Sequence, residues 1–313
     1  MTLPIPIGPH AAAGTTAEPE ALTLTAADGT PVAALRYRPE GPAHAGLLVG
    51  SATAVPQGFY RRFAQHAAAR GFEVLTLDYR GIGRSAPPSL RGYEVDYLDW
   101  GRQDLAAGVE ALRQPGRPLH LVGHSYGGHA LGLLPNYHEV HACWTFATGA
   151  GWHGWMPPLE RLRVQFMWKV LGPLWTRRAG YLPWSRLGMG EDLPLGVYRQ
   201  WRRWCSFPRY FFDDPAQPHM AEQFAQVRVP IVAANATDDA WAPPASRDAF
   251  MQGYRNATVQ AVTIDPVVDR TGPIGHMGYF RPQARPLWDQ CLDWLASAPQ
   301  QAARPTLPRA LRA

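Results

Sequence analysis

Short apolar runs alternate along most of the chain with segments whose apolar residues recur at helical spacing. The runs predict strands at 22–25, 32–37, 45–49, 72–78, 118–123, 140–146, 229–234 and 258–264. The segments between them predict helices at 59–70, 96–112, 244–254 and 286–296. Strands that alternate with helices of this length are typical of βαβ units. The pattern therefore predicts an α/β fold with a mostly parallel sheet that helices cover on both faces.

The alternation stops between residues 151 and 227, where the chain becomes rich in tryptophan. Seven of the twelve tryptophans lie in this stretch. Apolar residues fall at helical spacing in its first part, at Leu159, Leu162, Phe166 and Val170. We interpret the stretch as an inserted helical cap whose tryptophans form mainly its own small core. Its arginine cluster predicts a solvated helix face, with a carboxylate or phosphate site as the alternative, at Arg199, Arg202 and Arg203.

The remaining boundaries follow from this insertion. The α/β core is predicted to comprise residues 21–150 and 228–297. Residues 1–20 and 298–313 are rich in Pro and Ala, which predicts an irregular first segment and a disordered tail.

Composition excludes several classes of protein. The net charge is +5, but it comes almost entirely from scattered arginines, and Lys169 is the only lysine. No basic run or zinc pattern occurs, so we expect no nucleic-acid partner. No apolar stretch is long enough for a transmembrane helix, and no secretory signal is evident. The three cysteines are far apart, at Cys143, Cys205 and Cys291. They predict reduced thiols in a cytoplasmic protein and no metal site.

The stretch Gly123-His124-Ser125-Tyr126-Gly127 lies between a predicted strand and a segment with helical potential. A serine on such a sharp turn projects its hydroxyl from the edge of the sheet, and the flanking glycines avoid collisions of Cβ atoms. The helix that follows offers backbone amides to a developing oxyanion. Ser125 is therefore the candidate nucleophile.

A serine nucleophile needs a histidine base and an acid that orients the base. On an α/β sheet both follow the serine along the chain, with the acid first, each in a loop after a strand. The loop after 229–234 contains Asp238 and Asp239, and the loop after the last strand contains His276. Either aspartate can supply the acid on this reasoning.

Four motifs in this order resemble the α/β-hydrolase superfamily, in particular its serine aminopeptidase and monoacylglycerol-lipase-like branch. They are D-x-R-G-x-G-x-S at 78–85, the serine motif at 123–127, Asp239-x-x-x-Pro243 and Gly275-His276-x-Gly278. The resemblance implies an eight-stranded sheet with a cap inserted after the sixth strand. It also favours Asp239 over Asp238, because the acid of the family usually stands four residues before a proline.

The resemblance further implies a serine hydrolase that needs no cofactor and cleaves an ester, or a thioester or amide, of an apolar acyl group. The oxyanion would be held by the amide of Tyr126 and by one from the loop after the third strand. Relatives begin that loop with His-Gly, whereas this chain has Gly50-Ser51. We assign the second donor to Ala52, with Thr53 as the alternative. An acyltransferase and a ligand-binding sensor on the same fold remain alternative functions.

Overall fold

An eight-stranded sheet forms the centre of the computed structural model, which describes residues 18–298. The strands are β1 (Glu20–Thr25), β2 (Pro31–Tyr37), β3 (Ala45–Gly50), β4 (Phe72–Leu77), β5 (Leu119–His124), β6 (Ala142–Phe146), β7 (Ile231–Ala236) and β8 (Val259–Ile264). Their order across the sheet is β1-β2-β4-β3-β5-β6-β7-β8. β2 runs antiparallel to β1 and β4, and every other neighbouring pair is parallel. The predicted α/β fold is confirmed.

The five central strands, β3 to β7, are buried along their whole lengths. Their sequences are mainly apolar because both faces of the sheet are covered. On one face, α1 (Arg61–Ala69) and α9 (Arg285–Ser297) pack in a single core. On the other face, α2 (Ala106–Leu112) and α8 (Pro244–Met251) contribute to a second core.

Most element boundaries lie within three residues of the predictions, and two of the differences concern the start of the core and the helix before β5. β1 begins at Glu20, one residue before the predicted start of the core. The helix predicted for 96–112 begins later, as a π-helical turn at Trp100–Leu105 that leads into α2. The segment before it already contains a contact typical of a helix start, since the Asp99 carboxylate accepts the amide of Asp96, three residues earlier, at 2.8 Å. The irregular segment and the disordered tail predicted for the termini lie outside the described residues, apart from 18–20 and 298.

Helices fill the connection between β6 and β7. They are α4 (Pro158–Phe166), α5 (Gly172–Ala179), α6 (Leu195–Trp204) and α7 (Met220–Ala225), with a π-helical turn at Met167–Leu171 between α4 and α5. The apolar stripe predicted on the first of these helices faces outward: Leu159, Leu162, Phe166 and Val170 are 62%, 67%, 53% and 47% exposed. Among residues 18–298, no helix is long and apolar enough to cross a lipid bilayer.

Candidate active site

Ser125 occupies the turn between β5 and the short helix α3 (Tyr126–His129). Its backbone has φ 52° and ψ −111°, which is strained for a residue with a side chain. The strain is held by hydrogen bonds on both sides of the residue. The Ser125 amide donates to the carbonyl of Phe146 at 2.8 Å, and the Thr148 hydroxyl donates to the Ser125 carbonyl at 3.0 Å.

Glycines on either side of the serine allow this turn to pack against the sheet. A Cβ atom on Gly123 would lie 2.4 Å from the backbone nitrogen of Gly128. One on Gly127 would lie 2.1 Å from the carbonyl oxygen of Gly50, at the end of β3. Both distances are far below any tolerated contact, so a side chain at either position would displace the turn that presents the serine.

The three residues predicted as nucleophile, base and acid meet at one edge of the sheet. His276 Nε2 lies 3.1 Å from Ser125 Oγ. On the other side of the ring, His276 Nδ1 lies 3.0 Å from both carboxylate oxygens of Asp239. A carboxylate in this position accepts the proton on Nδ1 and leaves Nε2 free to accept the serine proton. The arrangement has the geometry that general-base activation of a hydroxyl requires.

The surroundings of Asp239 keep its carboxylate ionised although only 1% of the residue is exposed. Burial acts to raise its pKa, but the charge and hydrogen bond of His276 and two backbone amides together lower the pKa below its ordinary value. Those amides belong to Trp241 and Ala242, which donate to Oδ1 at 3.0 and 2.9 Å. The Tyr279 hydroxyl donates to Oδ2 at 3.3 Å.

Asp238, the rival candidate, does not contact the histidine ring. Its two carboxylate oxygens accept the backbone amides of Ile274 and Gly275 at 2.8 and 3.0 Å. It therefore holds the loop that carries His276, while Asp239 faces the imidazole itself.

The backbone amides that are candidate oxyanion donors differ in whether they already donate a hydrogen bond within the protein. Tyr126 is the first residue of α3, so its amide has no acceptor within the helix. The Ala52 amide, in contrast, donates to the Tyr60 hydroxyl at 2.8 Å. This bond argues against our assignment of Ala52, because an engaged donor is not available to an oxyanion. The Thr53 amide makes no hydrogen bond within residues 18–298, which favours the alternative donor.

A buried chain of hydrogen bonds that sequence reasoning missed connects this loop to the base. The Tyr60 hydroxyl lies 2.9 Å from His124 Nδ1, and His124 Nε2 donates to the backbone carbonyl of His276 at 2.9 Å. Burial, followed by the charge of His276, lowers the pKa of His124 to about 3. A neutral His124 that donates from Nε2 must accept the Tyr60 proton at Nδ1. The sequence placed His124 beside the serine, but it carried no signal for its partner.

Aromatic side chains link the cap to the same site. The ring of Trp241, in the loop of Asp239, lies 6.2 Å from that of His276. On the other side, Trp241 lies 6.0 Å from Trp201 of α6, which packs at 4.8 Å against Trp168. The base is therefore bordered by an indole wall that extends into the cap.

Comparison with known proteins agrees with this architecture. The model of the Alpha/beta hydrolase family matches residues 17–307. The chain belongs to this family. The predicted membership of the α/β-hydrolase superfamily is thereby confirmed, while a comparison with curated protein sequences gives no match.

Several solved structures of this α/β-hydrolase fold resemble the chain at low sequence identity. A soluble variant of monoglyceride lipase from Saccharomyces cerevisiae, in complex with a substrate analog, is 14% identical with a TM-score of 0.66, and the match covers 94% of this chain and 100% of the lipase. A thermophilic esterase from Thermogutta terrifontis is 16% identical with a TM-score of 0.57, covering 89% and 99%. The thioesterase domain from the curacin biosynthetic pathway is 14% identical with a TM-score of 0.55, covering 88% and 99%.

Proposed function

We propose that this α/β hydrolase is a serine hydrolase that cleaves a carboxylic ester, or a thioester or amide, through an acyl-enzyme on Ser125. The observation that carries the proposal is the uninterrupted series of contacts from Ser125 Oγ through His276 to Asp239, at 3.1 and 3.0 Å. The strained backbone of Ser125 also supports the proposal, because strain of this kind is concentrated at active sites.

In the proposed reaction, His276 takes the Ser125 proton as the hydroxyl oxygen attacks the acyl carbon. The oxyanion that forms accepts hydrogen bonds from the amides of Tyr126 and Thr53. His276 then gives its proton to the leaving group, and the ester bond breaks. A water molecule, activated by the same histidine, attacks the acyl-enzyme, and the acid is released with Ser125 regenerated.

We further propose that residues 151–227 form the cap that selects the substrate. The indole wall beside His276 supports an apolar or aromatic acyl group, because aromatic faces contribute much of the binding energy of apolar ligands. Esterase, lipase and thioesterase structures of the same fold are consistent with an acyl substrate.

A fluorophosphonate probe, which reacts with activated serines, tests the proposal directly. The wild-type protein should become labelled, and a Ser125→Ala variant should not. A matched control is Ser246→Ala, since Ser246 is buried but lies outside the candidate triad. If the folded wild-type protein is not labelled, or if Ser125→Ala is labelled equally, the proposed nucleophile is wrong.

A panel of p-nitrophenyl esters, thioesters and anilides of increasing acyl length would then define the substrate class. We expect hydrolysis that depends on both Ser125 and acyl length. Labelling without turnover of any acyl substrate would instead support a binding protein, and product formation only with an added alcohol acceptor would support an acyltransferase.

A further inference from the structure

A cationic cavity lies in the cap, between the π-helical turn at Met167–Leu171 and helix α6. Its volume is about 420 Å³, within the range of about 300–1,000 Å³ that is typical of ligand sites. Four basic side chains line it: Lys169, Arg199, Arg202 and Arg203. Trp168 and Ser206 form other parts of the wall.

The positive charge of this cavity is largely uncompensated. Arg203 is paired with Asp214, whose carboxylate lies 2.6 and 2.7 Å from the guanidinium nitrogens. Within residues 18–298, no carboxylate lies within ion-pair distance of Lys169, Arg199 or Arg202, and none lines the cavity. All four basic side chains are exposed, so solvent screens part of their mutual repulsion, and an anion bound among them would reduce the rest.

The neighbouring histidine responds to the same field. His153 lies in the cavity wall. Burial, followed by the charges of Lys169 and Arg161, lowers the pKa of His153. The positive charge of Lys169 therefore acts on this part of the cavity wall as well.

We propose that this cavity binds a phosphate or diphosphate group. Two guanidinium groups and an ammonium group without acidic partners supply about three positive charges, which match a phosphate or diphosphate better than a single carboxylate. Guanidinium groups bind phosphate oxygens through pairs of parallel hydrogen bonds. The side chains of Arg199, Arg202 and Arg203 are exposed, in agreement with the predicted solvated helix face, and the cavity that they form with Lys169 is the feature that goes beyond that prediction.

The location of the cavity allows two sources for this group. Trp201, on another side of α6, lies 6.0 Å from Trp241, which lies 6.2 Å from His276, so the width of α6, about 10 Å, and these two indole rings separate the cavity from the base. A phosphate on the leaving arm of a substrate can span this distance, and a free phosphate can bind alone. Only the first source rests on the proposed hydrolase function.

Calorimetric titration with inorganic pyrophosphate tests the site without any turnover. The titrations use the full chain carrying Ser125→Ala, so their outcome does not depend on hydrolysis. We expect binding that Arg199→Gln/Arg202→Gln weakens by at least about tenfold, since the double variant removes two guanidinium groups that can donate charged hydrogen bonds to the anion. Arg177→Gln, an exposed arginine of α5 outside the cavity, is the matched control and should bind as tightly as the parent.

Three results would overturn the proposal: no pyrophosphate binding by the parent, equal binding by the double variant, or equal weakening by Arg177→Gln. Circular dichroism checks that each variant is folded. Should the double variant fail to fold, the single variant Lys169→Gln replaces it with the same expected direction and the same refuting outcomes.

Kinetics on the protein with Ser125 intact separate the two sources. Acyl coenzyme A and the matching acyl N-acetylcysteamine thioester share a reacting bond, but only the former carries phosphates. If the substrate carries the phosphate, kcat/KM should be higher for acyl coenzyme A than for the N-acetylcysteamine thioester. In Arg199→Gln/Arg202→Gln the two values should become equal, because the value for acyl coenzyme A falls. A free anion predicts equal kcat/KM values and a rate that changes when phosphate is added. If neither thioester is cleaved, a thioester leaving group is not the source of the phosphate, while the binding result stands; failure of the proposed function is shown separately, by a folded wild-type protein that the fluorophosphonate probe does not label.

Discussion

Replacing each of two adjacent aspartates with asparagine separates their roles, because the chemical change is the same while the contacts differ. In Asp239→Asn, the side-chain oxygen is expected to keep the amides of Trp241 and Ala242, which now bind Oδ1 at 3.0 and 2.9 Å. The NH2 group then takes the place of Oδ2, 3.0 Å from His276 Nδ1. Facing a donor, Nδ1 becomes an acceptor, and the ring proton moves to Nε2.

A proton on Nε2 prevents the histidine from accepting the proton of Ser125. Conversion of a triad carboxylate to an amide lowers kcat by about 10⁴-fold, which corresponds to about 5.4 kcal/mol of lost transition-state stabilisation. Asp238→Asn leaves this tautomer unchanged. The variant loses one of the two amide contacts between residue 238, which is exposed, and the loop of His276. We therefore expect the free energy of unfolding to fall by about 1 kcal/mol and kcat/KM to fall by less than about tenfold.

Steady-state hydrolysis of a p-nitrophenyl ester, with active sites counted by fluorophosphonate titration of the wild type, measures both effects. Circular dichroism and thermal unfolding establish that the two variants are folded. Our assignment of the acid is refuted if Asp239→Asn stays within about tenfold of the wild type, or if Asp238→Asn loses as much activity as Asp239→Asn.

Three further predictions concern the surroundings of the candidate triad. Tyr60→Phe removes the hydroxyl shared by Ala52 and His124 and leaves two buried groups without a partner, so we expect denaturant unfolding to show a loss of about 2–6 kcal/mol; unchanged stability would contradict the buried chain. Gly127→Ala places a Cβ atom 2.1 Å from the Gly50 carbonyl, and we expect at least about 1–3 kcal/mol lower unfolding free energy and loss of probe labelling. Burial lowers the pKa of His120 and His129 to about 4 and that of His124 to about 3. Because the unfolded chain binds these protons near pH 6.5 and the folded chain does not, unfolding free energy should fall as pH decreases from about 6.5 towards 4; a flat profile would show that these histidines are not buried and neutral.

The sequence predicted the core well because its central strands are buried on both faces. A run such as Ala45–Gly50 has no polar residue and lies between two other buried strands, so its pattern has one simple interpretation. The predicted order of the serine, aspartate and histidine follows from the same topology, since parallel strands bring the loops at their carboxyl ends to one edge of the sheet.

The choice between neighbouring residues depended on loop geometry, which the pattern of residue types does not specify. Asp238 and Asp239 have the same side chain, and only the course of the turn decides which carboxylate faces the imidazole. The same holds for the amides of Ala52 and Thr53. The acceptor that engages the Ala52 amide is the hydroxyl of Tyr60, a residue in the next helical turn with no motif of its own.

In the cap, the property that the sequence does not specify is the direction in which each helix face points. Helical spacing identifies residues that share a face, but the direction of that face depends on which surface covers it. On α6 two faces have distinct surroundings: Trp201 packs towards Trp241 and the base, while Arg199 and Arg202 line the cationic cavity. The Trp241 amide also binds Asp239, at 3.0 Å. Helix α6 therefore lies between the cationic cavity and the loop that holds the acid, an arrangement that the spacing of its residues does not specify.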